Sequence, residues 1–306
     1  MGMEVINPKI LLEFATANMR KSGTPVGLLK EEVNSWWEGF EIKREGEWFF
    51  FTGLLYQLTP YIEKTVEKIE ILEKLKMDGL IRFSKFAPSK ILKFFASPKK
   101  ERIAETKNIV RSIYKLLERA GINVWYDPEL DFYSGVLLYE LGEEEKFEKH
   151  AKLVIESLEK AGVKKIVTID PHTTYALKHL YPENTFEVAS YIELVKDLKG
   201  NVKEEVVIHD PCYYSRYLKL YEDVREILSN FGIAYRDVRN SKELTSCCGG
   251  PVEGLSARVA KEVAKLRVNE LGREKIVTSC PICVSNLRRA GGNVVDLAQL
   301  ISKENF

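Results

Sequence analysis

Five cysteines are the whole cysteine content of the chain, and they fall in its last third as Cys212, the adjacent pair Cys247-Cys248, and Cys280-Pro-Ile-Cys283. Written as spacing this is C-x34-C-C-x31-C-x2-C. Each cysteine sits in a turn-like context: His209-Asp-Pro-Cys212, Ser246-Cys-Cys-Gly-Gly-Pro251 and Ser279-Cys-Pro-Ile-Cys283. Glycine and proline mark backbone that turns sharply, and sharp turns let several thiolates converge on one soft metal centre. The residue types and spacing point to an iron–sulfur site.

Three other chemistries use cysteines at such positions. A structural zinc site takes four tetrahedral ligands, usually from paired C-x-x-C knuckles, and the adjacent Cys247 and Cys248 suit that geometry poorly. Cys280-Pro-Ile-Cys283 alone could act as a thiol–disulfide switch, because a C-x-x-C between strand and helix depresses thiol pKa; Cys212 and the Cys-Cys pair would then have no purpose. Buried inert or disulfide-forming cysteines are the third. Around the cysteines, His209 is either a hydrogen-bond donor to a cluster or a structural residue at a strand end. Asp210 reads as a cap for the next helix, and Gly249 and Gly250 as backbone that approaches the cluster closely.

The elements that must hold these residues occur twice. Glu205-Val-Val-Ile-His-Asp-Pro-Cys212 answers to Trp48-Phe-Phe-Phe-Thr-Gly-Leu54, and Lys275-Ile-Val-Thr-Ser-Cys-Pro-Ile-Cys283 to Lys165-Ile-Val-Thr-Ile-Asp-Pro-His-Thr173. Cys247-Cys-Gly-Gly250 falls where the first copy has Phe132-Tyr-Ser-Gly135. A tandem duplication follows, in which only the second copy has cysteines. Asp170 and His172 of the first copy read as remnants of a lost site. In each copy β-rich runs alternate with helical stretches: strands at Trp48 to Phe51, Ile122 to Tyr126, Lys165 to Ile169, Val206 to His209, Ile233 to Val238 and Lys275 to Thr278. Helical spacing appears in Phe147, Ala151, Val154, Ile155 and Leu158, and again in Val259, Val263 and Leu266. The fold class is therefore α/β, two pseudo-symmetric lobes, each a mostly parallel sheet flanked by helices. Ala189 to Val195 and Val295 to Ile301 read as closing helical phrases. Ligands bind beyond the carboxyl ends of such strands. There Cys212 and Cys280 would meet helix N-termini that lower their pKa.

The pattern Cys…Cys-Cys-Gly…Cys-x-x-Cys, duplicated and opened by His-Asp-Pro-Cys, resembles the cysteine-rich CCG domain family. That family includes the disulfide-cleaving component of heterodisulfide reductase, lactate utilisation protein A, and the iron–sulfur subunits of glycolate oxidase and anaerobic glycerol-3-phosphate dehydrogenase. The resemblance covers residues 47–306. It implies an N-terminal helical connector over 1–46, a CCG lobe without cysteines over 47–203 and an intact lobe over 204–306. Ala17 to Leu28 and Trp36-Trp-Glu-Gly39 resemble the segment that joins a ferredoxin module to the lobes in longer members, and residues 1–46 contain no cysteine for such a module. By resemblance, Cys212, Cys247, Cys248, Cys280 and Cys283 would hold one noncubane [4Fe-4S] cluster. Their first-lobe counterparts, Leu54, Phe132, Tyr133, Asp170 and Thr173, offer no thiolate, so cleavage of a disulfide between two clusters is not implied, whereas electron relay is. The implied partner is a flavoprotein dehydrogenase or a ferredoxin-type subunit. Two alternatives remain: a heterodisulfide-type thiol/disulfide reductase at the single cluster, and a zinc-stabilised non-catalytic scaffold.

With 46 basic against 45 acidic residues the net charge is +1, so no global field recruits nucleic acid. The N-terminus lacks a secretory signature, and no apolar run is long enough to span a bilayer. The expected location is the cytoplasm, where thiols stay reduced. The segment 76–102 interleaves Phe83, Phe86, Ile91, Leu92, Phe94 and Phe95 with lysines. It reads as a helical hairpin covering the first lobe, or as a surface that docks on a partner or an anionic membrane.

Overall fold

A computed structural model describes residues 8–74 and 97–303. Helices α1 (Pro8–Ser22) and α2 (Lys30–Val33) lead to strand β1 (Trp48–Phe51) and helix α3 (Leu55–Lys74). The chain continues through α4 (Lys100–Arg119), β2 (Val124–Trp125), α5 (Val136–Glu140), α6 (Glu144–Lys160), β3 (Lys165–Thr168), α7 (Pro171–Tyr175), β4 (Glu187–Ser190) and α8 (Tyr191–Val195). The second half follows with β5 (Glu205–Ile208), α9 (Tyr221–Asn230), β6 (Ala234–Arg236), α10 (Ala257–Leu271), β7 (Ile276–Thr278), α11 (Pro281–Arg289), β8 (Val294–Asp296) and α12 (Leu297–Ile301).

These elements form two four-stranded, wholly parallel sheets, ordered β2-β1-β3-β4 and β6-β5-β7-β8. The registers repeat. Phe49 lies opposite Ile166 in one sheet and Val207 opposite Ile276 in the other, so the two Lys-Ile-Val-Thr runs hold equivalent central places, and counting along the chains superposes Leu54 on Cys212 and Asp170 on Cys280. The expected α/β fold with two lobes is what the chain adopts. Each lobe also has a fourth strand, β4 or β8, where the sequence reads as part of, or an approach to, the closing helical phrase. Both are three or four residues long and run directly into α8 or α12, too short for a period-two pattern to show.

A strand covered on both faces has to be apolar throughout, and β1 is: Trp48 and Phe50 enter one core, Phe49 and Phe51 another. The first of these cores is common to both lobes. It joins Trp48 and Phe50 to Val206, Ile208 and Val277 of the second sheet through α4, α8, α9 and α12. The outer core of the first lobe contains all five apolar positions expected along α6, from Phe147 to Leu158. The outer core of the second lobe is smaller and includes Cys248, Cys280 and Cys283.

Helix α10 reverses its expected face. Val259 and Val263 are only partly buried and Leu266 is 72% exposed, while Ala257, Ala260, Ala264, Arg267 and Leu271 face inward. Small side chains on the inner face let this helix approach the cysteine loop closely. The expectation for segment 76–102 lies mostly outside the described residues; its last residues open α4. Among the described residues no helix is long and apolar enough to cross a membrane.

Candidate metal centre

All three cysteine segments reach the carboxyl ends of the second sheet. The chain leaves β5 through His209-Asp-Pro-Cys212, and Cys212 starts a single π-turn, Tyr213–Tyr217. The chain leaves β7 through Ser279 to Cys280, the N-cap of α11, with Pro281 at the first helical position and Cys283 in the first turn. Cys247 and Cys248 arrive on an irregular loop between two 3-10 turns, Lys242–Leu244 and Gly250–Val252. The Cys283 thiol donates to Cys248 Sγ at 3.3 Å. Cys247 lies close enough to Cys248, and Cys280 to Cys283, for each to shift its neighbour's titration, and Cys212 feels the charge of Cys248 and Cys280. Cys248, Cys280 and Cys283 are buried, whereas Cys212 and Cys247 form a half-buried rim.

Negative charge settles unevenly on this group. Hydrogen bonds from Cys247 and Cys283 draw Cys248 well below the ordinary thiol range, against burial. Burial pushes Cys280 up, but hydrogen bonds from Cys283 and His172 bring it down to about 7. Cys283 is raised by its bonds to Cys248 and Cys280. The expectation that a helix start would depress Cys212 is not met: burial raises that thiol to about 11. The element after it is one short π-turn, which gathers few aligned peptide dipoles.

Gly249 has φ +88°, and a Cβ there would run into the Ala260 carbonyl of α10. Its role is therefore to lay the loop against that helix. A Cβ on Gly250 would lie 2.6 Å from Ile282 and 3.5 Å from Cys248 Sγ, so this second glycine is the one that makes room beside the sulfurs. Asp210 caps no helix. It is buried and takes a two-pronged pair from Arg225 (2.9 and 2.9 Å) and the Lys242 amide (2.7 Å), while its carbonyl accepts from Thr245 Oγ1. This knot ties the end of β5 to the loop that carries Cys247.

Two histidines flank the cysteines. Arg267, fully buried on α10, donates from Nε to His209 Nδ1 at 3.0 Å, and also holds the Asn240 carbonyl and Glu270. His209 is thereby the Nε2–H tautomer, and burial holds its pKa down. A ring nitrogen lies within 4.8 Å of the Cys248 and Cys283 sulfurs, while Nε2 has no conventional partner. His172 comes from the first lobe. Its Nδ1 meets Glu140 Oε1 at 3.2 Å and the same oxygen accepts from Tyr213 OH at 2.8 Å; against burial, Cys280 and Glu140 push the pKa of its ring up. By its sequence His172 reads as a remnant; the fold brings it to the cysteines. Arg267, Glu140 and Tyr213 also reach this centre, and nothing in their local sequence distinguishes them.

The equivalent place in the first lobe is filled. Leu54 and Tyr133 belong to its apolar core, with Phe132 packed against them. Asp170 accepts the His172 and Thr173 amides at 2.9 and 3.0 Å, and the Thr173 side chain presses on Gly53. The profile of the cysteine-rich domain family, CCG, matches residues 98–178 and again 206–288. The chain belongs to the CCG family. Both CCG lobes are recognised, including the one without cysteines. Among curated proteins the chain is similar to the probable iron-sulfur-binding oxidoreductase FadF of Bacillus subtilis, with 33% identity over 60% of this chain and 28% of that protein. It is similar also to the EtfAB:quinone oxidoreductase of Syntrophomonas wolfei, with 28% identity over 58% of this chain and 28% of that protein. A third relative is a component of the dihydromethanophenazine:CoB–CoM heterodisulfide reductase of Methanosarcina acetivorans, at 27% identity over 56% of this chain and 48% of that protein. In each case the match spans less than half the relative's length.

Proposed function

We propose that the chain is an iron–sulfur electron-transfer subunit of an oxidoreductase complex, with one noncubane [4Fe-4S] cluster held by Cys212, Cys247, Cys248, Cys280 and Cys283. The observation that carries this reading is the convergence of three separate cysteine segments at one sheet edge, with Cys283 and Cys248 sulfurs 3.3 Å apart. The donor set suits the group. Five soft ligands exceed the four of a tetrahedral zinc site. His209 Nε2, Ser279 Oγ and Asn286 Nδ2, the last one helical turn beyond Cys283, are buried without partners, and sulfide-rich clusters accept such donors. Bound there, the group would supply reversible one-electron chemistry. The protein's own part is to bury three of the sulfurs, direct N–H groups at them, and leave Cys212 and Cys247 at the rim, where an electron partner can approach. The filled first lobe supports one cluster per chain.

The relatives' names support a place in a multi-subunit oxidoreductase; we further propose a flavoprotein dehydrogenase or ferredoxin-type subunit as its neighbour and the cytoplasm as its location. Iron and acid-labile sulfide analysis with electron paramagnetic resonance on anaerobically prepared protein tests the reading. About four of each per chain, lost or spectrally altered in Cys248→Ser, is the expected result. Zinc that survives anaerobic reconstitution with iron and sulfide would overturn it.

A further inference from the structure

His209, Cys248 and Cys283 bring one imidazole nitrogen and two sulfurs within 4.8 Å of one another, and all three residues are buried. These are three of the four ligands that a single zinc ion takes. Around a tetrahedral zinc the ligand atoms stand about 3.5–4 Å apart, given its bond lengths, so the spacing suits such an ion. An imidazole ligates only through a ring nitrogen that carries no proton. Arg267 denies the centre that nitrogen. Its Nε donates to His209 Nδ1 at 3.0 Å, and a guanidinium keeps all its protons in a folded protein. Nδ1 therefore accepts, and Nε2 carries the hydrogen of the ring. Ligation through Nε2 would move that hydrogen to Nδ1, where it would face the Arg267 N–H; ligation through Nδ1 would meet the guanidinium itself. The arginine is fixed where it stands. Its side chain is 0% exposed, with Nη1 on the Asn240 carbonyl at 2.9 Å and on Glu270 at 2.6 Å, and Nη2 on Thr245 Oγ1 at 3.3 Å. Asn240 and Thr245 flank the turn that leads to Cys247, so one clamp holds both the arginine and the cysteine loop.

We propose that Arg267 is a metal-selecting residue: by holding His209 as an Nε2–H donor it keeps the imidazole out of the ligand set. The centre is left with thiolates alone, the donors that iron–sulfur clusters mainly take, in place of the mixed histidine–cysteine set that suits a single zinc ion. Arg267 touches no metal and acts through His209, which makes it a positioning residue. The inference rests on the reading of the five cysteines as ligands and adds which nearby donor is excluded from them.

The test adds cobalt(II), an optical stand-in for zinc, to the anaerobically reduced, metal-free chain. Its ligand-field bands move to shorter wavelength when nitrogen joins sulfur around the ion, a shift that loosening of the fold does not produce. The unaltered chain is expected to give all-sulfur bands. Arg267→Met, which fills much of the same space without a donor, is expected to give mixed sulfur–nitrogen bands, and His209→Phe added to it should restore the all-sulfur ones. Mixed bands in the unaltered chain, Arg267→Met bands identical to the unaltered ones, or mixed bands that survive the loss of His209 each overturn the role of Arg267. If Arg267→Met does not fold, magnetic resonance of the histidine ring nitrogens in the unaltered chain decides: His209 Nε2 is expected to keep its proton when zinc is added, and loss of that proton overturns the proposal. An unaltered chain that takes up neither cobalt nor iron and sulfide overturns the reading of the cysteines, and this inference with it.

Discussion

Tyr56 of the first lobe donates to Asp296 of the second through a buried hydrogen bond of 2.7 Å. Its pseudo-symmetric counterpart runs the other way, joining Tyr214 of the second lobe to Ser190 of the first at 2.8 Å. Strand register makes the pairs equivalent: each tyrosine lies two residues beyond the Leu54 or Cys212 position, and Ser190 and Asp296 both end the fourth strand. The lobes thus interlock by a crossed pair of tyrosines, of which one joint is ionisable.

That joint makes stability depend on pH. Burial pushes Asp296 up to about 6, partly opposed by the Tyr56 hydrogen bond. Between about pH 4, where an unfolded aspartate ionises, and pH 6, the folded chain keeps a proton that the unfolded chain has released, so Asp296's contribution to stability is full below that window and falls as pH rises through it. Tyr56→Phe removes the donor that stabilises the ionised form, so its cost, about 1–3 kcal/mol, should be larger at pH 8 than at pH 5. Urea unfolding of both proteins at the two pH values checks this, and an equal cost at both would refute it.

Arg267 is a buried cation whose bonds end on His209, Asn240, Thr245 and Glu270. Arg267→Leu should destabilise the chain by about 3–5 kcal/mol, because polar groups are left buried without a partner. It should also free the His209 ring. Faster loss of iron to a chelator than from the unaltered protein, at a temperature where both are folded, is the expected signature.

The Asp210–Arg225 pair anchors the loop that leads to Cys247. Arg225→Lys keeps the charge but loses the two-pronged geometry, so the loop should loosen while the fold survives. Thiol labelling of the metal-free, reduced protein should then be faster at Cys247 with little change at Cys283. Arg225→Leu, which leaves Asp210 buried and unpaired, should cost about 3–5 kcal/mol in denaturant unfolding.

Gly249 and Gly291 have similar backbone angles, φ +88° and +95°, but a Cβ meets the Ala260 carbonyl at the first and nothing within 4 Å at the second. The two alanine substitutions share the conformational penalty and differ in the clash. Gly249→Ala should lose iron and sulfide content as well as stability, whereas Gly291→Ala should show only a modest drop in melting temperature. Equal behaviour of the two would remove the close approach of the cysteine loop to α10 as a cause.

The sequence by itself determined the duplicated α/β plan, the central strands and the strand ends at which the cysteine segments leave the second sheet, because strand–turn–helix phrases such as Lys275 to Cys283 carry their geometry in local residue types. It also determined that the first lobe offers no thiolate. It left the brief edge strands β4 and β8 unread, since so short a run shows no period. The tertiary structure alone decided the rest. Arg267 reaches a histidine 58 residues away and His172 meets a glutamate 32 residues away, separations at which no spacing rule operates. The inward face of α10 is likewise set by what it packs against: a glycine loop that admits alanines and one long arginine outcompetes the valine–leucine stripe that periodicity favoured. Whether a buried polar residue is a relic or a working part depends on what the other lobe brings within reach.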